Sequence, residues 1–282
     1  MAGHSGAYSR IDNETDTGYR TEAWHSVDRE EEMIYFIGAG PGDPDLITVK
    51  GKRHIEEADI IVYAGSLVNK ALLDTARKGA EIYDSAGMTL EEVLDVMVQG
   101  TRTGKKIARV HTGDPSVFGA IREQLDALDK QHIEYEIVPG VSSFLAAAAA
   151  LKKEYTLPGV TQTVILTRME GRTEVPSKEK IEALAQHKAT MIIFLSTGML
   201  DELANRLKCG YEEDTPVAVV YKASWPEQKI VQGTLQNIAE KVKKEGISKT
   251  ALVVVGDFLG DEYELSKLYD KSFTHEFRSA KE

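Results

Sequence analysis

The sequence of 282 residues has little cysteine, little excess positive charge and no long apolar run. Its single cysteine, Cys209, rules out a disulfide framework or a thiolate metal cluster and favours a reducing, cytoplasmic setting. The formal net charge of -11 argues against nucleic acid as a main partner, because phosphate binding depends on lysine and arginine. No apolar stretch approaches the length of a membrane span, so we expect no membrane association. The scattered histidines lack the spacing of a zinc helix, and we expect no protein-bound metal.

The two ends of the chain are more polar than the segment between them. Residues 1–32 lack the apolar core of a signal peptide and show no apolar period, which predicts a disordered leader or a segment added for expression. From Met33 onward, β-rich runs alternate with helical patterns, which predicts parallel sheets with helices on their faces. A Pro-Gly pair near Leu157 punctuates this pattern. We therefore expect an α/β fold of two α/β domains with a ligand cleft between them, over residues 33–156 and 157–262, and an accessory tail over 263–282.

Three segments carry more specific structural expectations. The strands around Val219 and Val231 follow each other with no helical pattern between them, which predicts a hairpin in a mixed sheet. The segment "SSFLAAAAALKK" predicts a small-residue helix suited to close packing against a sheet or a second subunit. Apolar spacing from Ser116 to Lys130 predicts a further helix.

The loop "FIGAGPGDPDLIT" (Phe36 to Thr48) has some features of a dinucleotide-binding fingerprint. Gly38 and Gly40 fit that pattern, but Asp43 stands where the third glycine belongs and would repel a pyrophosphate. Prolines in the loop also delay the helix that should follow directly. A nicotinamide-dependent oxidoreductase is therefore a disfavoured alternative.

Two further loops resemble the first in composition and place. "VHTGDPSVFG" (Val110 to Gly119) and "VPGVSSFLAAAA" (Val138 to Ala149) also follow predicted strands and precede predicted helices. That is where open α/β sheets bind ligands, and small residues let the backbone approach a ligand closely. A tight turn capped by Asp or Ser explains any one such loop. The three together predict a ligand cleft.

In the order and wording of these loops the chain resembles the tetrapyrrole methylase family, the S-adenosyl-L-methionine-dependent enzymes that build corrins and sirohaem. "GAGPGDPDLIT" and "HTGDPSVFG" match the two motifs of that family, and the resemblance extends from about Met33 to about Leu259. It implies a methyl donor folded up between the two domains, S-adenosyl-L-homocysteine as product, a tetrapyrrole substrate and a homodimer.

The resemblance also implies which residues contact the donor, largely through backbone groups. Val117 is expected in the helix after the second loop, and Ser196 is a looser match because related enzymes often carry Met there. The matching positions are Pro41, Thr112, Gly113, Asp114, Val117, Ser142, Ser143, Ser196, Ala223 and Ala251.

Two positions bear on which substrate the resemblance implies. Ala64 and Asp84 stand where members that methylate uroporphyrinogen III carry an acidic residue and a lysine, which disfavours that activity and leaves no residue assigned as acid or base. Stretches such as "TRMEGRT" and "YKASWPEQK" instead resemble members that methylate C11 of precorrin-4 or cobalt-precorrin-4 in cobalamin biosynthesis. The sequence leaves open whether cobalt is already in the ring. Another tetrapyrrole methylase, a protein or RNA methylase of the same fold, and a non-catalytic tetrapyrrole carrier are the alternatives.

A corrinoid precursor carries many carboxylates, so local cations are expected in the cleft of this acidic protein. Each candidate lies at or just beyond a predicted strand end, where a surface salt bridge is the alternative interpretation. For His111 the alternative is a partly buried structural histidine. The candidates are Arg109, His111, Arg168, Arg172 and Lys222.

Overall fold

Two five-stranded sheets organise the chain in a computed structural model that describes residues 33–65, 67–171 and 173–280. The leader predicted over residues 1–32 and the candidate cation Arg172 lie outside the described residues. Within the described residues, no helix is both long and apolar enough to cross a membrane.

The first sheet is parallel throughout and has the strand order β3-β2-β4-β1-β5. Its strands are β1 (Ile34–Gly38), β2 (Ile60–Tyr63), β3 (Glu81–Asp84), β4 (Ile107–His111) and β5 (Tyr135–Val138). Helices α1 (Val49–Glu57), α2 (Leu90–Arg102) and α3 (Arg122–Asp129) lie in the connections. The interior strand β1 is apolar on both faces, with Phe36 in one core cluster and Ile37 in the other, as expected for a sheet covered on both sides.

The order of the strands fixes where this sheet can bind a ligand. From β1 the chain moves two places along the sheet to β2, and from β4 it moves two places in the opposite direction to β5. The neighbours β1 and β4 therefore form a topological switch point, where the connections leave in opposite directions and open a crevice beyond the carboxyl ends of the strands. The first two glycine-rich loops begin at this point.

The second sheet is mixed and has the strand order β6-β7-β10-β8-β9. Its strands are β6 (Val164–Arg168), β7 (Thr190–Phe194), β8 (Pro216–Tyr221), β9 (Lys229–Thr234) and β10 (Ala251–Val255). Only β6 and β7 pair in parallel, and the other neighbours are antiparallel. Val219 pairs with Val231, which confirms the predicted hairpin. Helices α5 (Ile181–Ala185), α6 (Leu200–Leu207) and α7 (Ile238–Lys244) pack on one face of this sheet.

Helix α4 (Ser143–Leu151) covers the other face of the second sheet, although it follows the last strand of the first. Ala146 and Ala147 are buried there in one cluster with residues of β7, β8 and β10 such as Ile192 and Val254. Alanines leave room for the helix backbone to approach the sheet, and the predicted packing against a sheet is confirmed. The helix thus joins the two halves of the molecule, and the residue at which one domain ends and the next begins stays a prediction.

The helix predicted from Ser116 begins only at Arg122. Phe118 and Ala120 have φ values of 56° and 49°, a left-handed backbone that no helix contains. Ser116 is held instead in a turn, where its amide donates to the carboxylate of Asp114 over 2.8 Å. The expectation that Val117 lies in a helix is therefore wrong.

Candidate active site

The three glycine-rich loops meet above the carboxyl ends of β1, β4 and β5, which are neighbours in the first sheet. Gly40 of the first loop and Gly113 of the second exchange two backbone hydrogen bonds, with N to O distances of 3.2 and 2.8 Å. This bridge is antiparallel, unlike the parallel pairing of β1 with β4, and it fixes the backbones of the two loops against each other beyond the sheet.

The third loop touches the first two backbone to backbone at Gly140. A Cβ atom there would lie 2.1 Å from the carbonyl oxygen of Gly113 and 2.7 Å from the Cα of Gly38. No side chain fits at such distances, so glycine is required at Gly140 for the three loops to converge. This close approach lets one ligand contact main-chain groups of all three loops.

The side chain of Asp114 joins the second loop to the third by a hydrogen bond. Its Oδ2 accepts from the amide of Gly140 over 2.8 Å, while Oδ1 accepts from the amide and the hydroxyl of Ser116. Burial alone would raise the pKa of this carboxyl, but the bonds from Ser116 and Gly140 outweigh that effect and lower it. The carboxylate is thus ionised and engaged in shaping the loops, as expected of an Asp ahead of a turn rather than of a general base.

The loop between β8 and β9 brings the second domain against the first loop. The indole Nε1 of Trp225 donates to the carbonyl oxygen of Pro41 over 3.0 Å, and the amide of Asp43 donates to Ser224 Oγ over 3.0 Å. Ala223, a predicted donor contact, is buried beside Ser224. The predicted donor contacts Pro41 and Ala223 therefore lie on opposite sides of one interdomain junction.

Two other predicted donor contacts lie at the same edge of the second sheet. Ser196 follows β7 and is fully buried, donating to the carbonyl of Phe194 over 2.7 Å and accepting from the amide of Met169 over 2.9 Å. Ala251 begins β10, pairs with Tyr221 of the antiparallel β8, and accepts from the Thr197 hydroxyl over 2.9 Å. The Ser196 hydroxyl already donates its proton within the protein, so it cannot donate to a ligand, whereas neighbouring main-chain groups can contact one.

Unpartnered polar groups test whether a ligand fits this junction. The hydroxyl oxygen of Thr112 is buried and has no hydrogen-bond partner in the described part of the chain. Ser142 is buried at the N-cap of α4 but makes no side-chain capping bond, and Ser143 begins the helix. Ser142 Cα would lie 3.5 Å from a Cβ at Gly113. Polar groups around a glycine-lined cradle suit a donor such as S-adenosyl-L-methionine, which the resemblance implies is held mainly by backbone groups.

Arg109 lies inside the first domain rather than at its surface. It is 6% exposed, and its guanidinium donates to Gln124 Oε1 over 3.0 Å and to the carbonyl of Val62 and Ser85 Oγ over 3.2 Å each. No carboxylate of the described residues forms an ion pair with it, and burial lowers its pKa to about 10. The side chain ties the ends of β2, β3 and β4 to α3 and leaves a buried positive charge beneath the loops.

His111 is buried at the end of β4, with its ring stacked near that of Phe36 at 6.1 Å between centroids. Burial and the charge of Arg109 lower its pKa to about 3, so the imidazole is neutral near pH 7. Its Nε2 has no hydrogen-bond partner among the described residues. The ring thus offers a neutral polar group rather than the cation expected from the sequence.

The two candidate cations that the structure describes in the second domain, Arg168 and Lys222, contact residues close to them in the sequence. Arg168 donates to the carbonyls of Thr173 and Glu174 over 3.2 and 2.8 Å, so it shapes the segment after β6. Lys222 pairs with Glu227 at 3.6 Å, and its Nζ lies 5.1 Å from the centre of the Trp225 ring. The structure brings these cations to the ends of β6 and β8, whereas Arg109 and His111 belong to the first sheet.

Sequence reasoning missed several residues that build the junction. Trp225 and Ser224 are among them, and so is Asn69, whose Nδ2 donates to the Gly42 carbonyl over 2.8 Å. A large aromatic residue in the polar, proline-containing connection "KASWPEQ" is a signal that could have pointed to Trp225. Asp84 is engaged locally, since it accepts from the Tyr63 hydroxyl over 3.0 Å and from the amide of Ala86 over 2.9 Å.

The comparison with known proteins agrees with this arrangement of loops. Residues 33–239 match the family model of the Tetrapyrrole (Corrin/Porphyrin) Methylases. The chain belongs to the tetrapyrrole methylase family. A relative from Methanocaldococcus jannaschii named cobalt-precorrin-4 C(11)-methyltransferase is 61% identical over 256 residues, which are 90% of this chain and 98% of the relative.

Solved structures of tetrapyrrole methylases share the fold. The X-ray structure of a cobalt precorrin-4 methyltransferase, described as a cobalamin biosynthetic enzyme, aligns with a TM-score of 0.80 and 48% identity, covering 82% of this chain and 97% of that one. A uroporphyrin-III C-methyltransferase from Thermus thermophilus, solved in complex with S-adenosyl homocysteine, aligns with a TM-score of 0.68 and 27% identity, covering 80% and 93%. The predicted two-domain α/β fold of the tetrapyrrole methylases is confirmed.

Proposed function

We propose that this chain transfers a methyl group from S-adenosyl-L-methionine to C11 of cobalt-precorrin-4, or of metal-free precorrin-4, in cobalamin biosynthesis. The observation that supports the substrate best is the 61% identity to a cobalt-precorrin-4 C(11)-methyltransferase across 98% of that relative. Ala64 and Asp84 support the choice against uroporphyrinogen III. Asp84 is also held by Tyr63 and Ala86, which leaves it poorly suited to serve as a replacement base.

The donor is proposed to lie where the loops of the first domain face the second. S-adenosyl-L-methionine supplies a methyl group on a positively charged sulfonium, which needs no further activation. The Thr112 hydroxyl, which has no partner among the residues that the structure describes, and the close backbone contacts of Gly113 and Gly140 support this place. The proposed contacts are Pro41, Thr112, Gly113, Asp114, Val117, Ser142, Ser143, Ser196, Ala223 and Ala251.

The substrate's carboxylates are proposed to face Arg109, His111, Arg168, Arg172 and Lys222. Arg109 would act through its buried charge, since its hydrogen-bonding groups already hold Val62, Ser85 and Gln124. The carboxylate that pairs with Lys222 is the exposed Glu227, so a substrate carboxylate has room to displace it.

Catalysis in this proposal consists mainly of alignment and exclusion of water. The attacking carbon C11 carries no hydrogen that must be removed, so no strong general base is required. The aspartates of the two Gly-Asp-Pro motifs, Asp43 and Asp114, accept hydrogen bonds from backbone amides. Holding both reactants in line within a closed cleft supplies a large share of the rate enhancement.

We also propose that the protein is located in the cytoplasm and forms a homodimer. The exposed free thiol of Cys209 supports a reducing compartment. Large exposed apolar side chains, among them Phe118, Leu145 and Leu195, support a second copy as partner. Light scattering after size-exclusion chromatography should give twice the chain mass of 31.1 kDa, and a monomer at micromolar concentration would reject the dimer.

The position of the new methyl group tests the proposal. The protein is incubated without oxygen with cobalt-precorrin-4 and donor labelled with carbon-13 on the methyl, and the product is analysed by NMR. We expect one labelled methyl, attached to C11. A label at another carbon would reject the regiochemistry. A thermal shift with NAD but none with S-adenosyl-L-homocysteine would reject the whole enzyme class.

A further inference from the structure

The indole of Trp225 lies directly on the first donor loop. Its Nε1 donates to the Pro41 carbonyl over 3.0 Å, and a Cβ added to Gly42 would fall 1.9 Å from Nε1 and 2.1 Å from Cδ1. The ring therefore occupies the space that a side chain at residue 42 would need. Glycine at this position lets an aromatic side chain of one domain close against the backbone of the other.

The loop that carries Trp225 has a constrained backbone. Lys222 and Ser224, on either side of the buried Ala223, have left-handed φ values of 46° and 72°. Left-handed conformations are unfavourable for residues other than glycine and persist where surrounding contacts hold them. The amide of Lys222 donates to Thr250 over 3.0 Å, and that of Ser224 donates to Gln228 Oε1 over 2.8 Å. Such a loop presents Ala223 in one fixed place.

Further contacts of the same loop meet the first loop. The hydroxyl of Ser224 accepts from the amide of Asp43 over 3.0 Å, and Lys222 Nζ lies 5.1 Å from the Trp225 ring centre on the side of the second domain. Two hydrogen bonds and a ring against a glycine thus join Pro41, Gly42 and Asp43 to consecutive residues of the β8–β9 connection.

We propose that Trp225 is a positioning residue that sets the separation of the two donor-binding loops and thereby the affinity for the methyl donor. The inference rests on the proposed function, because Pro41 and Ala223 are donor contacts there. Trp225 bonds the carbonyl of Pro41 and lies two residues from Ala223, so losing the indole frees the first loop to move relative to the loop that presents Ala223. The chemistry of the bound reactants does not involve the indole.

Two substitutions of the tryptophan separate its contributions. Trp225→Phe keeps an aromatic ring over Gly42 but loses the bond to Pro41, and Trp225→Ala loses both. One hydrogen bond of ordinary net strength corresponds to roughly 2- to 10-fold in affinity. We expect the dissociation constant of S-adenosyl-L-homocysteine, measured by calorimetry, to rise by about that factor for Trp225→Phe and by roughly 10-fold or more for Trp225→Ala.

The split between kinetic constants distinguishes positioning from a general structural defect. For Trp225→Phe, KM for the donor should rise, while kcat at saturating donor and KM for the tetrapyrrole stay within about twofold of wild type. A loss of kcat with unchanged donor affinity would reject the proposal. If Trp225→Ala does not fold, the Phe variant carries the test alone, and wild-type affinity in it would count as rejection.

Gly42→Ala provides an independent test from the other side of the contact. The added methyl should displace the indole and weaken donor binding in the wild-type background. In the Trp225→Ala background no ring remains to be displaced, so the double variant should bind donor more tightly than the product of the two single effects predicts. Strict additivity would reject the contact as the cause. Failure of the wild type to bind S-adenosyl-L-homocysteine would instead reject the proposed function, because the contact of Trp225 with the first loop would then have no donor site to position.

Discussion

The carboxylate of Asp114 accepts a hydrogen bond from the backbone amide of Gly140, with Oδ2 and N 2.8 Å apart. This bond joins the loop after β4 to the loop after β5, and Gly140 in turn lies against Gly38, the last residue of β1. The sequence motif that resembles a methyl-donor loop is thus also the element that holds the loops together. Substitutions in it are expected to change both stability and ligand affinity.

Asp114→Asn should lower the free energy of unfolding by about 2 kcal/mol, because an amide group replaces a charge-assisted acceptor and turns a donor toward a backbone N–H. The folded pKa of Asp114 is lowered, so its contribution is present above the ordinary value of 3.8 and is lost as the pH falls through the folded pKa. Denaturant titration at pH 7 and pH 3 measures this difference. Ser116→Ala, which removes only the hydroxyl, is the matched control with a smaller loss. Equal stability of Asp114→Asn and wild type at pH 7 would contradict the assigned role.

Gly140→Ala should prevent the loops from converging, since its Cβ would lie 2.1 Å from the Gly113 carbonyl oxygen. We expect a loss of about 3 kcal/mol, at the upper end of the usual range for overpacking because only a backbone shift can relieve the clash, and no detectable binding of S-adenosyl-L-homocysteine. Gly87→Ala is the control for stability, because its Cβ meets no atom within 4 Å. Thermal unfolding and calorimetry check both variants. Native-like binding by Gly140→Ala would show that the contact of the loops is not needed for the site.

These two predictions illustrate what the sequence does and does not determine about the site. The glycines and aspartates of the loops follow directly after apolar strand patterns, so their place at the end of a sheet is predictable. That β4, β1 and β5 are neighbours depends on long-range strand order, which local periodicity does not encode. The order of the strands was therefore not part of the prediction and is known only from the structure.

His54 should make the protein less stable in acid. It is 2% exposed, stacks on Tyr35 at 3.7 Å and has no partner for either ring nitrogen among the described residues. Burial, followed by the charges of Lys106, Arg53 and Lys50 against the opposing Glu136, lowers its pKa to about 4. Below its ordinary value of 6.5 the unfolded chain takes up a proton that the folded protein resists, so stability is lost between pH 6.5 and 4.

The substitution His54→Phe isolates this effect, because phenylalanine keeps the stack on Tyr35 and does not titrate. The stability of the variant relative to wild type should increase by about 3 kcal/mol between pH 7 and pH 4, as expected for a shift of this size. Urea titrations at several pH values measure the difference. His111 contributes in the same direction in both proteins and cancels in the comparison. If the stability difference between variant and wild type stays constant across this range, His54 takes up its proton as readily in the folded state as in the unfolded state, which would contradict the lowered pKa.

Arg206→Lys should destabilise the distinctive "TRMEGRT" segment. The guanidinium binds Glu182 through two bonds of 2.7 and 2.8 Å and Glu170 through one of 2.6 Å, whereas a lysine can satisfy only part of this set. We expect a loss of about 1–3 kcal/mol and faster hydrogen exchange over residues 168–171. Arg122→Lys is the control, because its bond to Asp126 lies in an exposed helical pair. Equal losses for the two substitutions would contradict the importance of the network.

Left-handed residues explain where sequence reasoning failed. Apolar spacing alone placed Val117 in a helix, but Phe118 and Ala120 adopt backbone conformations that neither residue type favours. Lys222 and Ser224 also adopt left-handed conformations that their residue types do not favour. They flank Ala223 in the loop from which Trp225 bonds Pro41 of the other domain. Such conformations are imposed by tertiary contacts, so they cannot be read from local propensity.

Parallel methyl-transfer assays test the central claim most directly. Labelled S-adenosyl-L-methionine is offered without oxygen together with cobalt-precorrin-4, metal-free precorrin-4 or uroporphyrinogen III. The account predicts transfer to one or both precorrin-4 forms and none to uroporphyrinogen III. The precorrin-4 form that is methylated faster shows whether cobalt is inserted into the ring before this step. Transfer to uroporphyrinogen III alone would contradict the interpretation of Ala64 and Asp84, and labelling of no acceptor by a protein that binds S-adenosyl-L-homocysteine would contradict the assignment to corrin synthesis.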